Sequence, residues 1–439
     1  MVTFDYTYWS APVAGQEIHA FSPLTLSDKY FLWDTGPAYN WSQTASSYNM
    51  IPGKGYIIRA PQGWPSTAAS WTGTFTGVPN NGDISIPIVV SGANNLNLIG
   101  NPYPCSLNAD AFLSDTANAS KINGSIYLWT HNTPYTSNNY NNNDYAVWNI
   151  FGGTGTRSAL NSGVNNNIPN GHVAAGNAFF VVGTANGNVT FKNSMRETGN
   201  NSSFFRMNAP VAIQAFEKHR LWLEISNDDG LFKQILVGYA QGATTAVDRN
   251  YDAISVNGGN PLSLYSIVGL DHLNIKANGL PFSDQDLHPL GYSTTTAGAY
   301  KIDMPLYDGL FQNQDVYLED KLLNVIYNLK QGTYNFTTQA GTFNDRFVLR
   351  FTPAALSINT NSYTNDVIIF KNTSGIHIES TNTNIKEVSI SDIRGRIIYS
   401  TKGLNTAKFD IDALSIAQEV IIVQVTTQNG SIINKKIVY

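Results

Sequence analysis

The chain has 439 residues, 42% of them hydrophobic and only 13% charged, enough apolar material for two or three cores. Its formal net charge of −5 leaves no basic footprint for nucleic acid, and no apolar run approaches the roughly 20 residues of a membrane helix. A single cysteine, Cys105, excludes an internal disulfide framework and a cysteine-based zinc site. Abundant Asn, Thr, Ser, Gly and Tyr on a low-charge background favour strands over helices, so the expected fold is all-β.

The chain opens on MVTFDYTYWS, which has no basic start, apolar core or small-residue cleavage site, and enters directly into strand-like sequence. The first block, residues 1–207, contains a duplication with copies at about 1–85 and 86–207. WSAPV (9–13), YFLWDT (30–35), IPGKGYIIRA (51–60) and TGTFTG (72–77) are followed in the same order by IGNPYP (99–104), IYLWTH (126–131), AAGNAFFVVG (174–183) and NVTFKN (188–193). Two similar β units are expected, side by side or interleaved in one sandwich. The spacing from Trp129 to Gly176 is more than twice that from Trp33 to Gly53, and the extra stretch, 132–171, is rich in Asn and reads as a long loop inserted in the second copy. One short helix is expected over 106–115, with Ser106 as candidate N-cap and Asp110 in its first turn.

In the second block, residues 208–355, RLWLEIS (220–226) alternates Leu221, Leu223 and Ile225 against Arg220, Trp222 and Glu224. DRFVLRF (345–351) alternates Phe347, Leu349 and Phe351 against Val348 and Arg350, and short strand-like runs parted by turns lie between. This spacing predicts an antiparallel sandwich or jelly roll. A polar linker, 353–366, leads to a third block, 356–439, whose alternating Ile and Val predict a small Ig-like sandwich with a thin core. Tandem β-sandwich or jelly-roll-like domains are therefore expected throughout.

Signatures of catalysis are absent from the sequence. The seven histidines form no His-Glu-x-x-His, there is no Gly-x-Ser-x-Gly elbow, and the GGTGT run at 152–156 lacks the Gly-Lys ending of a phosphate loop. Cys105, at the start of the short helix, reads as a packed side chain rather than a nucleophile, because no His is placed as its partner. Asp228 and Asp229, joined across a sheet by Asp248 and Asp252, are either solvated turns or part of a calcium site, the one cofactor the sequence leaves open. Tyr135, Tyr140, Asp144, Tyr145 and Trp148 have the chemistry of a glycan- or surface-ligand-binding loop, since sugar rings stack on aromatic faces. The competing reading is that Tyr145 and Trp148 pack the loop onto its own domain.

From Thr364 the sequence runs in short strand-like pieces that include SDIRGRIIYS (391–400), EVIIVQV (419–425), a turn at Asn429-Gly430, and NKKIVY (434–439). This order resembles the C-terminal sorting domain of proteins exported by the type IX secretion system of the Bacteroidota. Where the commonest form of that domain carries Gly-x-Tyr, this chain has Ala417-Gln418-Glu419, which resembles the variant called type C. VGYAQGAT, VYLEDK and GTFNDRFVLR in the second block resemble the β domain that often precedes the sorting domain in flavobacterial surface proteins.

The resemblance implies that Asp392, Gly395, Arg396, Gly430, Lys435, Lys436, Ile437, Val438 and Tyr439 take part in recognition by the outer-membrane translocon and its shuttle barrel. It implies a secreted or cell-surface protein, reached through the periplasm, and an N-terminal export signal upstream. The expectation is thus the C-terminal portion of a longer, non-enzymatic, adhesin-type protein, with Met1 an added start residue. The alternative is a set of accessory or carbohydrate-binding modules of a secreted polysaccharide hydrolase whose catalytic domain lies upstream.

Overall fold

The computed structural model describes all residues except 37–39, 92–94, 131–144, 157–167, 202–215, 257–259, 354–366, 372–374, 382, 413, 415, 417–419 and 431. The protein is all-β and divides into two compact units, residues 1–353 and 354–439.

The first part of the larger unit carries β1 (Tyr6–Trp9), β2 (Tyr30–Asp34), β3 (Asn40–Gln43), β4 (Tyr56–Arg59), β5 (Ile84–Ile88), β6 (Leu96–Gly100) and β7 (Ser106–Asn108). It continues with β8 (Ile126–Trp129), β9 (Tyr145–Asn149), β10 (Gly152–Thr154), β11 (His172–Val173), β12 (Ala178–Val182), β13 (Gly187–Phe191) and β14 (Arg196–Glu197). Three short helices, α1 (Ile18–Phe21), α2 (Ala109–Ser114) and α3 (Thr116–Ala119), complete it.

The two sequence copies fold with one topology. The sheet order β1-β4-β2-β3 is repeated as β6-β12-β8-β9, with β10 added outside β9. The copies also interlock through paired contacts. Trp33 Nε1 donates to the Leu96 carbonyl at 2.7 Å, and its counterpart Trp129 Nε1 donates to the Tyr6 carbonyl at 3.0 Å. Ser10 N donates to Gly176 O at 2.8 Å, and Gly100 N to Gly53 O at 2.9 Å. Phe75 stacks on Phe21 with centroids 4.2 Å apart, as Phe191 stacks on Phe112 at 4.7 Å. Each copy thus satisfies the other's backbone groups, an arrangement with approximate two-fold character.

Local departures from the sequence reading have plain causes. Residues 72–77 form no strand, although Phe75 keeps its packing role, whereas 187–191 pairs with β5. The helix begins at Ala109 with Asn108 as N-cap, its side chain accepting from Ala111 N at 2.8 Å, because Ser106 is already committed to β7. The stretch 132–171 is not wholly a loop: it contains β9 and β10, and β9 occupies the place of β3.

Gly53 and Gly176 occupy equivalent turns with φ of +82° and +74°, where a Cβ is disfavoured. A Cβ on Gly176 would lie 2.9 Å from the Phe75 ring, while one on Gly53 would meet Phe191 at 3.4 Å. Gly176→Ala is therefore expected to cost more stability than Gly53→Ala, which should itself lose about 1–2 kcal/mol. Urea melts of the two variants check the order.

The second part of the larger unit carries β15 (Lys218–Ser226), β16 (Phe232–Ala240), β17 (Ala253–Ile254), β18 (Leu262–Val268), β19 (Asp271–Gly279) and β20 (Leu287–Thr294). It closes with β21 (Gly298–Tyr307), β22 (Tyr317–Asp320), β23 (Val325–Asn328), β24 (Tyr334–Thr338) and β25 (Gly341–Arg350). They form one 11-stranded sheet in the order β23-β22-β25-β20-β18-β19-β16-β15-β21-β24, with β17 on β19. The sheet folds over a core of Leu221, Leu223, Ile225, Ile235, Val237, Leu264, Phe347 and Leu349. Its pairings are antiparallel except β16 with β19, which run parallel. Asp271–Leu273 of β19 pair with β18, and Ile275–Gly279 pair with β16, so β19 turns the corner between the two layers.

The residue-207 block boundary does not separate compact units. The outer face of β15, β16 and β19 is apolar too, and Trp222, Leu236, Ala240, Ile275 and Ala277 join Tyr8, Leu98, Tyr127 and Phe180 of the first part in one buried cluster. Polar contacts reinforce this seam: Trp222 Nε1 donates to Gly153 O at 2.7 Å, and Gly155 N to Gln234 Oε1 at 2.7 Å. A strand buried on both faces needs a cover on both, and the repeat pair is that cover.

The smaller unit carries β26 (Val367–Lys371), β27 (Gly375–Ser380), β28 (Ile385–Asp392), β29 (Ile397–Thr406), β30 (Lys408–Asp412), β31 (Val420–Thr427) and β32 (Ile432–Val438). Sheets of order β26-β27-β30 and β29-β28-β31-β32 enclose Ile369, Ile376, Ile378, Val388, Ile390, Ile421, Val423 and Val425. It is a small sandwich with an aliphatic core.

Candidate functional site

In the smaller unit, Asp392 organises the turn between β28 and β29. Its Oδ1 accepts from Arg394 N and Arg396 N, each at 2.9 Å, and its Oδ2 accepts from Arg396 Nε at 3.1 Å. The Arg396 backbone N–H foremost, with Arg394 N and the guanidinium, holds the Asp392 carboxyl below the usual carboxylate range. Gly395 sits at φ +80° in this turn, and Gly430 at φ +88° between β31 and β32. Lys435 and Lys436 are exposed on β32, the last strand in the order of its sheet, and Ile437 is buried. Tyr439 Oη accepts from Leu414 N at 2.5 Å, and Lys371 Nζ lies 4.6 Å from the Tyr439 ring centroid. The backbone of Val438 pairs with Val420.

Of the aromatic loop candidates, Tyr135, Tyr140 and Asp144 lie outside the described residues. Tyr145 and Trp148, three apart on β9, point to opposite sides of the sheet and cannot share one stacking platform. Tyr145 packs among Tyr8, Trp129 and Phe180, and its hydroxyl bonds to that of Tyr8. Trp148 Nε1 donates to Asp110 Oδ1 at 2.7 Å; burial, the largest influence, raises the Asp110 carboxyl. Cys105 is half-buried, and Arg196 Nε donates to its Sγ at 3.3 Å.

The acidic pairs do not meet. Asp228 and Asp229 lie in the turn joining β15 to β16, with Asp228 3.6 Å from Lys301 Nζ. Asp252 is bound to Ala277 N, opposite Gly238 and six residues along β16 from Phe232, about 20 Å away at strand rise. Among the described residues no group of three or more His, Cys, Asp or Glu side chains is arranged to hold a metal.

The structure reveals a polar cluster that the sequence reading missed. Along β18, β20 and β16 the inward positions run Leu262-Leu264-Ser266, Tyr292-Leu290-His288 and Ile235-Val237-Tyr239, so the core turns polar at one mouth of the folded sheet. Lys276 and Asn278 of β19, both buried, complete it opposite the outward-packed Ile275 and Ala277. Lys276 Nζ donates to Asp252 Oδ2 at 3.0 Å and to the carbonyls of Thr244, Ala246 and Ala277 at 3.1, 2.6 and 2.9 Å. A cavity of about 200 Å³ lies between Ser266, Lys276, Asn278, Asp286 and His288.

A directed relay crosses this mouth. Asn278 Nδ2 donates to His288 Nδ1 at 3.3 Å, His288 Nε2 donates to Tyr239 Oη at 3.0 Å, and Tyr239 donates to Asp286 Oδ2 at 2.6 Å. This network assigns His288 one neutral tautomer. Burial pushes the His288 imidazole down to about 4, and burial together with Asp286 holds the Tyr239 phenol well above its ordinary range. Because the folded value lies below the unfolded one, stability is full above about pH 6.5 and is lost as pH falls through the folded value. Chemical denaturation at pH 7 and pH 4 should differ by roughly 3 kcal/mol through this group, and His288→Gln should remove that dependence.

Alternation could not have exposed the cluster, because Lys276 and Asn278 read as the solvated face of LNIKANG. The remaining clue was Asp252, which neutralises Lys276 from a separate loop.

These features define an all-β protein of two compact units, the larger built from an interlocked β repeat and a folded-over sheet. The chain belongs to the family described as "Domain of unknown function (DUF8693)", which matches residues 1–351; a second description, "Domain of unknown function (DUF8694)", matches residues 356–439. No curated protein matches the chain.

Proposed function

We propose that this chain is the C-terminal part of a secreted or cell-surface protein of adhesin type, in which residues 354–439 act as the address for export through a type IX outer-membrane translocon. The observation that carries this reading is the self-contained turn of Asp392, Gly395 and Arg396 on a compact sandwich whose last strand presents Lys435 and Lys436 as exposed side chains. In the resembled domain these are the elements that the translocon and its shuttle barrel meet. A basic edge also protects against strand addition by the wrong partner, so the same residues serve solubility during transit.

The larger unit is the passenger. We read it as a non-enzymatic module that presents a ligand-binding surface, since none of its sequence motifs is catalytic. The test is a fusion of residues 354–439 to a signal-peptide-bearing fluorescent protein in a Bacteroidota host. Fluorescence at the surface or in the medium is the expected result, and retention of the intact fusion in the periplasm overturns the assignment.

A further inference from the structure

The polar mouth of the large sheet has a composition that folding alone does not call for. At inward positions, where β18, β19 and β20 would be expected to carry Leu, Ile or Val, they carry Ser266, Lys276, Asn278 and His288. Burying such groups is costly unless each finds a partner. Lys276 and His288 do find theirs, in Asp252, three carbonyls and the Asn278–Tyr239 relay. Ser266 does not: its side-chain oxygen is buried and meets no hydrogen-bond partner among the described residues.

The charges and acceptors left over point one way. Asp252 and Lys276 cancel, and His288 is neutral in the relay, so Asp286 is the unbalanced charge of the cavity lining. Its Oδ2 accepts from Tyr239, while Oδ1 has no partner among the described residues. Asn278 uses its amide N–H groups on Gly238 O and His288 Nδ1, which leaves its oxygen as an acceptor. Asp286 Oδ1 and Asn278 Oδ1 are thus left as acceptors for a donor-rich cation, and a primary ammonium carries three donors. Ile267, Val268, Leu287 and Pro289, together with Thr245, line the rest of the cavity.

We propose that this mouth binds a small primary alkylammonium, with Asp286 as counter-ion, Asn278 as hydrogen-bond acceptor, and the alkyl stem on the apolar wall. A space of about 200 Å³ admits a ligand no larger than a single sugar or a short amine chain. The inference does not depend on the export reading, because it concerns side chains of the 1–353 unit alone.

Titration calorimetry on the full chain tests it with n-pentylamine, glucosamine and the uncharged n-pentanol. Pentylamine or glucosamine should bind saturably, and which of the two binds more tightly separates an alkyl source of the ammonium from a sugar source. Pentanol should bind at least tenfold more weakly than the better amine. Asp286→Asn keeps an oxygen for the Tyr239 hydroxyl, so it should fold normally while losing tenfold or more in amine affinity. Equal affinity for pentanol, unchanged amine affinity in Asp286→Asn, or no saturable amine binding up to roughly 10 mM would each overturn the proposal.

Discussion

Asp320→Ala should destabilise the larger unit by about 3–5 kcal/mol, the cost of breaking a buried ion pair and leaving one charge behind. Asp320 is fully buried, and Arg346 reaches it through Nε at 3.1 Å to both oxygens and Nη2 at 2.8 Å. Tyr334 Oη donates to Asp320 at 2.9 Å, and Leu322 N does so at 3.0 Å. These contacts tie β22 and its neighbour β25 to β24, which lies at the opposite end of the strand order, and so hold the folded-over sheet closed. Removal of the carboxylate strands the Arg346 guanidinium between the Phe336 and Phe347 rings, 4.8 and 4.9 Å from their centroids. Urea unfolding of Asp320→Ala measures the loss. The paired change Asp320→Leu with Arg346→Met should recover much of it, because it leaves no charge buried. Burial alone would raise the Asp320 carboxyl, but Arg346 and Tyr334 outweigh burial and hold it below the ordinary range. Its stabilisation is therefore present above about pH 3.9 and lost as pH falls through the lower folded value, a more acid window than that of His288.

Deleting residues 435–439 should block export of the 354–439 fusion and also loosen its sandwich. The deletion removes the pairings of Lys435 with Val423, Lys436 with Ile422, Ile437 with Ile421 and Val438 with Val420. It also takes Ile437 from the core and the Tyr439 hydroxyl from Leu414 N. A small sandwich has little stability in reserve, so loss of half an edge strand is a large fraction of it. Loosening and mis-sorting must be separated, and Lys435→Gln with Lys436→Gln does so, since both side chains are exposed and neither belongs to the core. If the double variant keeps the parent's thermal melt but stays in the periplasm, the basic edge is read by the exporter. Normal secretion of the deleted fusion would remove the terminal strand from the address. In the full chain, the 1–353 unit should keep its own melting transition after the deletion, because it is a separate compact unit.

Much of the architecture was legible because it rests on short-range patterns. Alternation of Leu221, Leu223 and Ile225 placed the core face of β15, and Asp392-x-x-Gly395-Arg396 marked its turn because the partners lie within five residues. The repeat could be read because both copies need the same Trp and Gly at the same stations: the indole reaches a neighbour's carbonyl, and the glycine takes a positive φ. The same physics parts Tyr145 and Trp148, two of the five candidate loop residues. Tyr145 and Trp148 are an odd number of residues apart on a strand, and recognising β9 as a strand was what separated their faces.

By itself, the sequence determined most of the strands, the internal duplication, the position of the terminal sandwich and its turn at Gly395, since these follow from local periodicity and from backbone demands within a few residues. Only the tertiary structure decided that the repeat pair and the folded-over sheet form one unit, because the second apolar face of β15, β16 and β19 declares a partner only when that partner is seen to cover it. It likewise decided that Lys276, Asn278 and Arg346 point inward. A charged or amide side chain on an alternating strand reads as solvated until its counter-charge, Asp252 or Asp320, arrives from elsewhere in the chain, and such pairing is a property of the fold rather than of any stretch of sequence.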